Sequence, residues 1–346
     1  MKSLVVKRDS HFELLRIVSM FMIILHHFFC YGRYNFTLPF SGNDIVLVIF
    51  QSGGKIGVVL FILITGYYMV KEKNIRIRKL IEMEFQILYY SIGLFLILVL
   101  FFHQRYSMEE MIKIFFPNIF RVYWFVSGYF FLYLLIPYVN RLISNISKNE
   151  FRMLLLIGFV FLIFIPSIII YLEAINETVY LFYYYMVGAY IRLYLDNIGG
   201  KYRYLFGFLL FYCFIVVITF YLIYLSFSNS LLNGCLYSFT CLKSIFVFGC
   251  GINLFLFFKN IKIKCNKIIN YLASFSFGVY LFHEHIYMKR LLWNNFFPLS
   301  EVLNYRNLFI NGLCIAAIIY VIGCLFDLIR RIIFGGIKHF FLIDLN

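Results

Sequence analysis

The sequence predicts an all-α, polytopic membrane protein with about ten transmembrane helices and both termini in the cytoplasm. Hydrophobic residues make up 63% of the 346-residue chain and charged residues only 14%, whereas soluble domains are roughly half apolar and a quarter charged. The apolar residues are grouped in runs of ~20 residues, the length that an α-helix needs to cross a bilayer. The Lys and Arg residues fall mainly in alternate connections between these runs, which indicates a defined orientation in the membrane.

Ten apolar runs are the candidate transmembrane helices. They cover residues 12–31, 50–70, 81–102, 118–138, 153–171, 179–195, 204–225, 235–258, 268–288 and 308–329. The sixth run is short, and the eighth is interrupted by Lys243 and Gly251. The glycine-rich stretch 51–57 lacks the spacing of a phosphate-binding loop, so we interpret it as the beginning of the second span. Because the connections are short, we expect a single integral membrane domain over residues 1–346, with no appended soluble domain.

The charge distribution predicts how these helices are oriented. With the N-terminus in the cytoplasm, twenty-one Lys and Arg residues fall in cytoplasmic segments. Eight fall outside, namely Arg33, Lys55, Arg105, Lys113, Arg121, Lys289, Arg290 and Arg306. Positive charge concentrates on the cytoplasmic side of membrane proteins, so both termini are expected there. The net charge of +15 then reflects this orientation and contact with anionic lipid, and no nucleic-acid partner is expected.

The cysteine pattern predicts neither a disulfide framework nor a metal site. Most of the eight Cys residues lie in apolar runs, where Cys behaves as a small hydrophobic residue. The sequence contains no CxxC motif and no Cys/His cluster with zinc spacing. We therefore expect no structural or catalytic metal.

The first apolar run carries ionisable residues that are costly to bury in a bilayer. Arg16 and His27 are eleven residues apart, so at about 100° per residue they share one helix face, roughly 16 Å apart along the axis. His26 projects about 100° away from His27. Ionisable groups in a span tend to face the bundle interior or a water-filled cavity, which makes Arg16 and His27 candidate functional residues. Alternatively, Arg16 extends to the near interface and pairs with Glu13, and a single histidine can be a hydrogen-bonded packing residue.

A second group of polar residues lies in the ninth run. Ser276, Tyr280 and His283 follow one another at i, i+4 and i+7 and therefore share one helical stripe. Glu284 comes directly after them, near the predicted outer end of the run. The pattern predicts a second part of a functional site. A polar seam that helps helices to pack is the alternative for Ser276 and Tyr280.

Four motifs in the sequence resemble those of a known family. They are Arg16 followed by His27, GVVLFILITGY at residues 57–67, YWFV at 123–126 with YLLIP at 133–137, and SFGVYLFH at 276–283. In order and spacing they resemble the acyltransferase-3 family of integral membrane acyltransferases, which modify bacterial surface glycans, and the resemblance covers nearly the whole chain. The chain departs from the family pattern at Thr65, where Ser is usual, at Glu13, where Asp is common, and at His26, which is an additional histidine.

The resemblance implies transfer of an acyl group, usually acetyl, from cytoplasmic acyl-CoA to a sugar hydroxyl on the outer side. The protein is then expected to be a multi-pass protein of the bacterial plasma membrane. Its partners would be acyl-CoA, a saccharide or polysaccharide acceptor and the lipid bilayer. No tightly bound cofactor is expected, because acyl-CoA is a substrate that leaves after each reaction.

Residue roles follow from the positions that match the family and from side-chain chemistry. His27 is expected to act as general base, because imidazole titrates near neutral pH and a sugar hydroxyl needs a base to become a nucleophile. Arg16 and His283 complete the catalytic set, and Arg16, Arg76 and Arg78 are the candidates for holding CoA phosphate groups. The candidate acceptor-binding residues are Glu284, Ser276, Tyr280 and Trp124. The sequence assigns no residue to the oxyanion that develops on the acyl carbonyl.

Two other classes of function remain open at this point. In a transporter or flippase of a lipid-linked saccharide, Arg16, His27 and Glu284 would line the substrate path. Broken helices in matching halves are typical of transporters, but they are not evident in the sequence. A structural or scaffolding membrane protein is the second of these classes. Consumption of acyl-CoA by membranes that carry the protein separates an enzyme from both.

Overall fold

The structure, a computed structural model, describes residues 9–32, 34–102, 106–169, 175–195, 199–303 and 307–340, without the side chains of Phe102 and residues 335–340. Within these ranges all regular elements are helical, so the all-α fold class predicted from the sequence is confirmed. Six of the Lys and Arg residues counted above lie outside the described residues, namely Lys2, Lys7, Arg8, Arg33, Arg105 and Arg306. Both chain ends also lie outside the described residues.

The first half of the described chain contains eight α-helices. They are α1 (Ser10–Tyr31), α2 (Gly42–Met69), α3 (Ile77–Phe102), α4 (Met108–Phe115), α5 (Trp124–Ser144), α6 (Lys148–Phe159), α7 (Ile165–Ile168) and α8 (Glu177–Tyr194). A π-helical turn, Val160–Phe164, joins α6 to α7. Helices α2, α4 and α6 each begin with a reciprocal pair of hydrogen bonds between a Ser and an acidic residue three positions later. Such capping boxes stabilise a helix start.

The second half contains seven more α-helices. They are α9 (Lys201–Ser226), α10 (Ile245–Asn260), α11 (Lys267–Ala273), α12 (Ser276–His283), α13 (Met288–Leu291), α14 (Leu299–Val302) and α15 (Leu308–Phe340). Two short 3-10 helices, Ser230–Cys235 and Ser238–Thr240, precede α10, and a π-helical turn, Leu292–Phe296, follows α13.

Eight helical segments of the described chain are long and apolar enough to cross a membrane. They are α1, α2, α3, α5, α6 with α7, α9, the segment Ser230–Asn260, and α15. These segments correspond to the predicted spans other than the sixth and the ninth. Helix α8 occupies the sixth predicted span, and α11 with α12 occupies the ninth. The helices are those of a multi-pass membrane protein.

The ninth predicted span is not the single helix that the sequence indicated. The expectation of one continuous helix over 268–288 is wrong, because the chain divides into α11 and α12 at Ser274 and Phe275. Backbone groups in an apolar layer need partners, and Arg331 of α15 supplies one. Its guanidinium donates to the carbonyl oxygen of Ser274 at 2.8 Å and to the hydroxyl of the same residue at 3.0 Å.

The second and eighth predicted spans also follow a different course. Helix α2 begins at Gly42, because Ser41 and Asp44 form its capping box. The glycine-rich stretch 51–57 therefore lies inside α2, and its interpretation as the beginning of the span is wrong. The eighth span starts with 3-10 helices and becomes α-helical only at Ile245, where the Ser244 hydroxyl caps the first turn.

Helix α2 lies at the centre of the bundle and packs against α1, α8, α9 and α10. Glycines make these close approaches possible. A Cβ atom on Gly57 would lie 2.6 Å from the carbonyl oxygen of Ser19 in α1, and one on Gly66 would collide with the carbonyl oxygen of Tyr185 in α8. Small residues at helix contacts allow such approaches in membranes. The glycine-rich stretch thus brings α1 close to α2.

Asp327 joins α15 to α3 in a buried polar network. Its carboxylate accepts hydrogen bonds from Arg330 at 2.7 Å and Arg331 at 2.8 Å on its own helix. It also accepts from Gln86 at 3.0 Å and Tyr90 at 3.3 Å on α3. Asp327 is completely buried, so these partners offset the cost of removing its charge from water. The network fixes the helices against which α12 packs.

Helices α1 and α2 run in opposite directions between two ends of the bundle. At one end, the Tyr68 hydroxyl at the end of α2 donates to Asp9, just before α1, at 2.7 Å. Asn140, near the end of α5, donates there to the carbonyl oxygen of Met69 at 2.7 Å. Helix α1 reaches the opposite end at Tyr31. We call these the Asp9 end and the Tyr31 end.

Candidate functional site

The two predicted catalytic histidines meet near the Tyr31 end. His27 lies in the last turns of α1, and His283 is the last residue of α12. The Nδ1 atom of His27 is 3.0 Å from Nε2 of His283, and the two ring centroids are 5.1 Å apart. His283 is completely buried, whereas the side chain of His27 is 12% exposed. The structure thus brings together two motifs from opposite ends of the chain.

Hydrogen bonds determine which nitrogen atoms of the two rings carry a proton. Nδ1 of His283 lies 2.7 Å from the carbonyl oxygen of Val279. Because a carbonyl only accepts, Nδ1 of His283 carries the hydrogen, and its Nε2 accepts from Nδ1–H of His27. With both rings neutral, Nε2 of His27 keeps a free lone pair. In the described part of the chain, the polar contacts of His27 use Nδ1, which leaves Nε2 able to take a proton from a substrate.

Glu284 also contacts the histidine of α1. Its Oε1 atom is 3.4 Å from Nδ1 of His27 and accepts a hydrogen bond from the Tyr31 hydroxyl at 2.9 Å. Glu284 is buried. A carboxylate at Nδ1 stabilises the positive charge that an imidazole acquires when its other nitrogen takes a proton. Its contacts are therefore those of a residue that orients His27.

This cluster does not have the arrangement of a metal centre. The Nε2 atom of His283 faces Nδ1 of His27, so each ring uses the other as a hydrogen-bond partner. Across the ranges that the structure describes, no group of three or more His, Cys, Asp or Glu side chains could hold a metal ion.

His26 faces α2 instead of α12. Its Nδ1 atom is 2.6 Å from the carbonyl oxygen of Gln51, and its Nε2 atom is 3.4 Å from the Cys30 sulfur. The ring lies against Gly54, where an added Cβ atom would collide with it. The prediction that the two neighbouring histidines face different directions is confirmed, and His26 has the contacts of a packing residue.

A cavity opens beside the histidine pair. It has a volume of about 190 Å³ and is lined by Cys30, Tyr31, Lys289, Arg290 and Asn294. The Lys289 ammonium is 3.5 Å from the Tyr31 hydroxyl and 4.9 Å from the centre of its ring. Tyr31, which lines the cavity, also donates a hydrogen bond to Glu284. The ring of Tyr31 lies 5.5 Å from that of His27, so this tyrosine separates the cavity from the histidine pair.

Arg16 lies near the Asp9 end of α1 and does not contact the histidine pair. It forms an ion pair with Glu13 at 3.3 Å, and their side chains are 32% and 9% exposed. This is the pairing that was considered as an alternative to a functional role. Its hydrogen bonds to Glu13 use Nη1, whereas a guanidinium has five N–H donors. The arginine can therefore keep Glu13 and still bind a phosphate group.

Arg76 and Arg78 lie at the Asp9 end, where the chain passes from α2 into α3. Arg76 pairs with Glu72, and Arg78 pairs with Glu82 at 3.3 Å. The two arginine side chains are 52% and 82% exposed. Exposed pairs of this kind contribute only about 0–1 kcal/mol, so both guanidinium groups can turn to another anion. Their role in binding CoA stays a prediction.

The other candidate acceptor-binding residues lie in three different surroundings. The Ser276 hydroxyl is 3.2 Å from that of Tyr320 on α15, which is the packing seam named as its alternative. The ring of Tyr280 is 5.9 Å from that of His283 and belongs to the histidine site. The Lys55 ammonium lies 3.9 Å from the centre of the Trp124 ring. Their roles toward an acceptor stay predictions.

Several polar residues close to the site escaped the sequence reasoning. Tyr31 bridges Glu284 and the cavity, and Lys55 pairs with Glu177 of α8 at 2.8 Å. Lys55 was counted among the outer charges, but it lies inside α2. A charge within an apolar run is a signal that could have been used. The partner could not be read from the sequence, because it depends on which helix packs against α2.

Comparison with known proteins gives a match over most of the chain. A family model described as "Acyltransferase domain" matches residues 9–326. The matched segment includes both histidines of the site and Glu284. No curated protein and no solved structure matches the chain.

Proposed function

The chain belongs to the acyltransferase-3 family, and on that premise we propose that it transfers an acyl group from cytoplasmic acyl-CoA to a saccharide hydroxyl. The proposed acyl group is acetyl, which is chemically the simplest. The acceptor is a cell-surface or lipid-linked polysaccharide, and the protein works in the plasma membrane of a bacterium. No tightly held cofactor takes part in this reaction.

One observation carries the proposal. The hydrogen bonds from His27 to His283 and from His283 to the Val279 carbonyl support the role of His27 as base, because they favour a proton on its Nδ1 and a free lone pair on its Nε2. General base catalysis of this kind contributes about 10²- to 10⁴-fold in rate. The adjacent Glu284 carboxylate stabilises the imidazolium once it forms.

The proposed reaction is a direct transfer in which His27 handles a single proton. The acceptor hydroxyl gives its proton to Nε2 of His27 while its oxygen attacks the thioester carbonyl. The tetrahedral intermediate then collapses, the carbon–sulfur bond breaks, and the imidazolium returns the proton to the sulfur of CoA. The products are an ester and free CoA.

The two substrates approach from opposite ends of the bundle. Arg16, Arg76 and Arg78 bind the phosphate groups of CoA at the Asp9 end, because arginine is the side chain best suited to phosphate. The acyl thioester then has to extend roughly 16 Å along α1 to reach His27. The acceptor enters by the cavity beside Tyr31, and this separation lets one site join a cytoplasmic donor to an outer acceptor.

This scheme includes ten membrane crossings, with both termini in the cytoplasm. Eight crossings are the long apolar helices of the described chain, and two more are needed. Helix α8 supports a crossing, because Glu177 at its start pairs with Lys55 and Arg192 near its end donates to Tyr67 at 3.0 Å. Helices α11 and α12 support another. The backbone N–H of Asn266 before α11 donates to the Ser10 hydroxyl at 2.7 Å, at the Asp9 end, whereas α12 ends beside Tyr31.

The proposal is tested by following acetyl groups in cells with and without the protein. Ester-linked acetate is released by mild alkali from the surface polysaccharide and from extracted glycolipids, and is then quantified. We expect acetate in one of these fractions only when the protein is present, together with release of free CoA from acetyl-CoA by isolated membranes. Movement of a saccharide across the membrane without consumption of acetyl-CoA would instead identify a transporter.

A further inference from the structure

Two buried tyrosine hydroxyls beside the histidine pair have no partner. The hydroxyl oxygens of Tyr123 and Tyr280 are buried without a hydrogen bond to any described residue. Tyr123 is 0% and Tyr280 is 4% exposed. An unsatisfied buried hydroxyl costs about 1–3 kcal/mol, and native proteins contain few of them. Packing alone gives no reason for tyrosine instead of phenylalanine at these two positions.

Tyr280 lies close to His283, the partner of the proposed base, and Tyr123 lies close to Tyr280. Tyr280 is on α12, one turn before His283, and their ring centroids are 5.9 Å apart. Tyr123 directly precedes α5, and its ring centroid is 6.4 Å from that of Tyr280. Both phenols also interact electrostatically with Glu284. Both phenols are therefore within electrostatic range of Glu284, the acid that contacts His27.

The surroundings of these hydroxyls favour interaction with a developing charge. The Phe125 ring packs 5.6 Å from that of Tyr280, and both tyrosines belong to the hydrophobic core. A hydrogen-bond donor that is fixed in advance in a site without water stabilises a transition-state charge far more than it would in solution. A donor that is unpaired in the resting protein has no bond to give up when the substrate arrives.

We propose that the Tyr123 and Tyr280 hydroxyls donate hydrogen bonds to the carbonyl oxygen of the acyl thioester. This inference rests on the proposed acyl transfer and assigns the oxyanion donors of that same site. When the acceptor oxygen attacks, the carbonyl electron pair moves onto its oxygen, and the two phenols bind that oxyanion without losing their protons. When the carbon–sulfur bond breaks, the carbonyl reforms and the phenols return to their resting state.

The decisive variants are Tyr280→Phe, Tyr123→Phe and the double variant. Each removes one hydroxyl and keeps the ring, so the packing is retained. Transfer of radiolabelled acetyl from acetyl-CoA to alkali-labile ester is measured in membranes of the expressing cells. We expect kcat to fall about 100-fold or more for at least one single variant, with the KM for acetyl-CoA unchanged. Thermal stability should be equal or higher, because no hydrogen bond is lost.

Thr219→Val is the matched control, because it makes the same kind of change elsewhere. The Thr219 hydroxyl on α9 is also buried without a partner in the described structure, and valine has nearly the same shape. This variant should keep the wild-type kcat. If the tyrosine variants behave like Thr219→Val, the hydroxyls play no part in the reaction and the inference fails.

A second measurement separates an oxyanion donor from a structural or acceptor-binding role. Fluorinated tyrosines incorporated at position 280 change the acidity of the phenol with little change in size, so kcat should vary systematically with phenol acidity. A change confined to the KM of the acceptor would assign the hydroxyls to the acceptor and overturn the inference. If wild-type protein transfers no acetyl group at all, the proposed function fails as well. If the wild-type protein transfers acetyl groups and the phenylalanine variants are fully active, this inference fails but the proposed function stands.

Discussion

His27 and His283 are 256 positions apart in the sequence and are joined by a hydrogen bond of 3.0 Å. The bond connects the last turns of the first helix to the end of a short helix late in the chain. Because His283 in turn donates to the backbone carbonyl of Val279, the orientation of His27 depends on the position of α12. A histidine held in this way presents one defined nitrogen atom to a substrate.

The first prediction compares the two adjacent histidines. His27→Ala should lower acyl transfer by about 10²- to 10⁴-fold, because it removes the general base. His26→Ala should have a milder effect, since it deletes a packing residue bonded to Gln51 and costs about 0.5–1.5 kcal/mol of stability. Acetyl transfer by the two variants is compared at matched protein levels in the membrane. If His27→Ala is active and His26→Ala is inactive, His26 is the general base and His27 is the packing residue.

The second prediction concerns the charge on Glu284. Glu284→Gln keeps an acceptor for Tyr31 but loses the negative charge beside His27. A hydrogen bond to a charged group contributes about 1.5–3 kcal/mol, so kcat should fall about 10- to 100-fold. The KM for acetyl-CoA should stay the same, because the donor phosphates bind at the other end. Glu301→Gln changes an exposed acid on α14 and serves as the control. If the KM for the acceptor rises while kcat stays constant, Glu284 binds the acceptor and does not assist His27.

The third prediction concerns Arg16 and the binding of the donor. Arg16→Lys keeps the charge but loses the geometry that binds two phosphate oxygens, so the KM for acetyl-CoA should rise while the protein still inserts. Glu13→Gln removes the partner of Arg16 and should leave the donor KM unchanged or lower. If Arg16→Ala retains full activity and donor affinity, the arginine serves only to pair with Glu13.

The fourth prediction concerns the close contact between α1 and α2. Gly54→Ala places a methyl group where the His26 ring lies, and overpacking of this kind costs about 1–3 kcal/mol. The variant should melt at a lower temperature in detergent and lose activity, because α1 also carries His27. Gly93→Ala is the control, since an added Cβ atom there meets nothing within 4 Å. If the two variants are equally stable, the contact between α1 and α2 can adjust to accommodate the added methyl group.

The fifth prediction concerns the two crossings that lack a long apolar helix. Single cysteines are labelled with a membrane-impermeant reagent in intact cells, after replacement of the other native cysteines. Ile175→Cys and Glu301→Cys should react from outside. Lys201→Cys and the native Cys265, which is an exposed thiol, should react only after the cells are opened. If Ile175→Cys and Lys201→Cys are labelled from the same side, α8 does not cross the membrane. If Cys265 and Glu301→Cys are labelled from the same side, α11 and α12 together do not cross it.

The sequence alone determined the class of the protein and the different directions in which its two adjacent histidines point. Composition and the length of the apolar runs are sufficient for an all-helical membrane protein, because a bilayer imposes a fixed length and an apolar surface on each span. Helix periodicity was sufficient to separate His26 from His27, because neighbouring residues on one helix must face different directions. The motif spacing led to the family that the later comparison showed.

Only the tertiary structure decided what these residues contact. The contact of Glu284 with His27, the pairing of Lys55 with Glu177 and the division of the ninth span depend on side chains that meet in space. Arg331 illustrates the reason. Its hydrogen bond to Ser274 supplies a partner for backbone at a helix break, and it comes from a helix 57 positions away in the sequence. Local patterns set the length and the faces of each helix, whereas the partners across helices are chosen by the packing of the whole bundle.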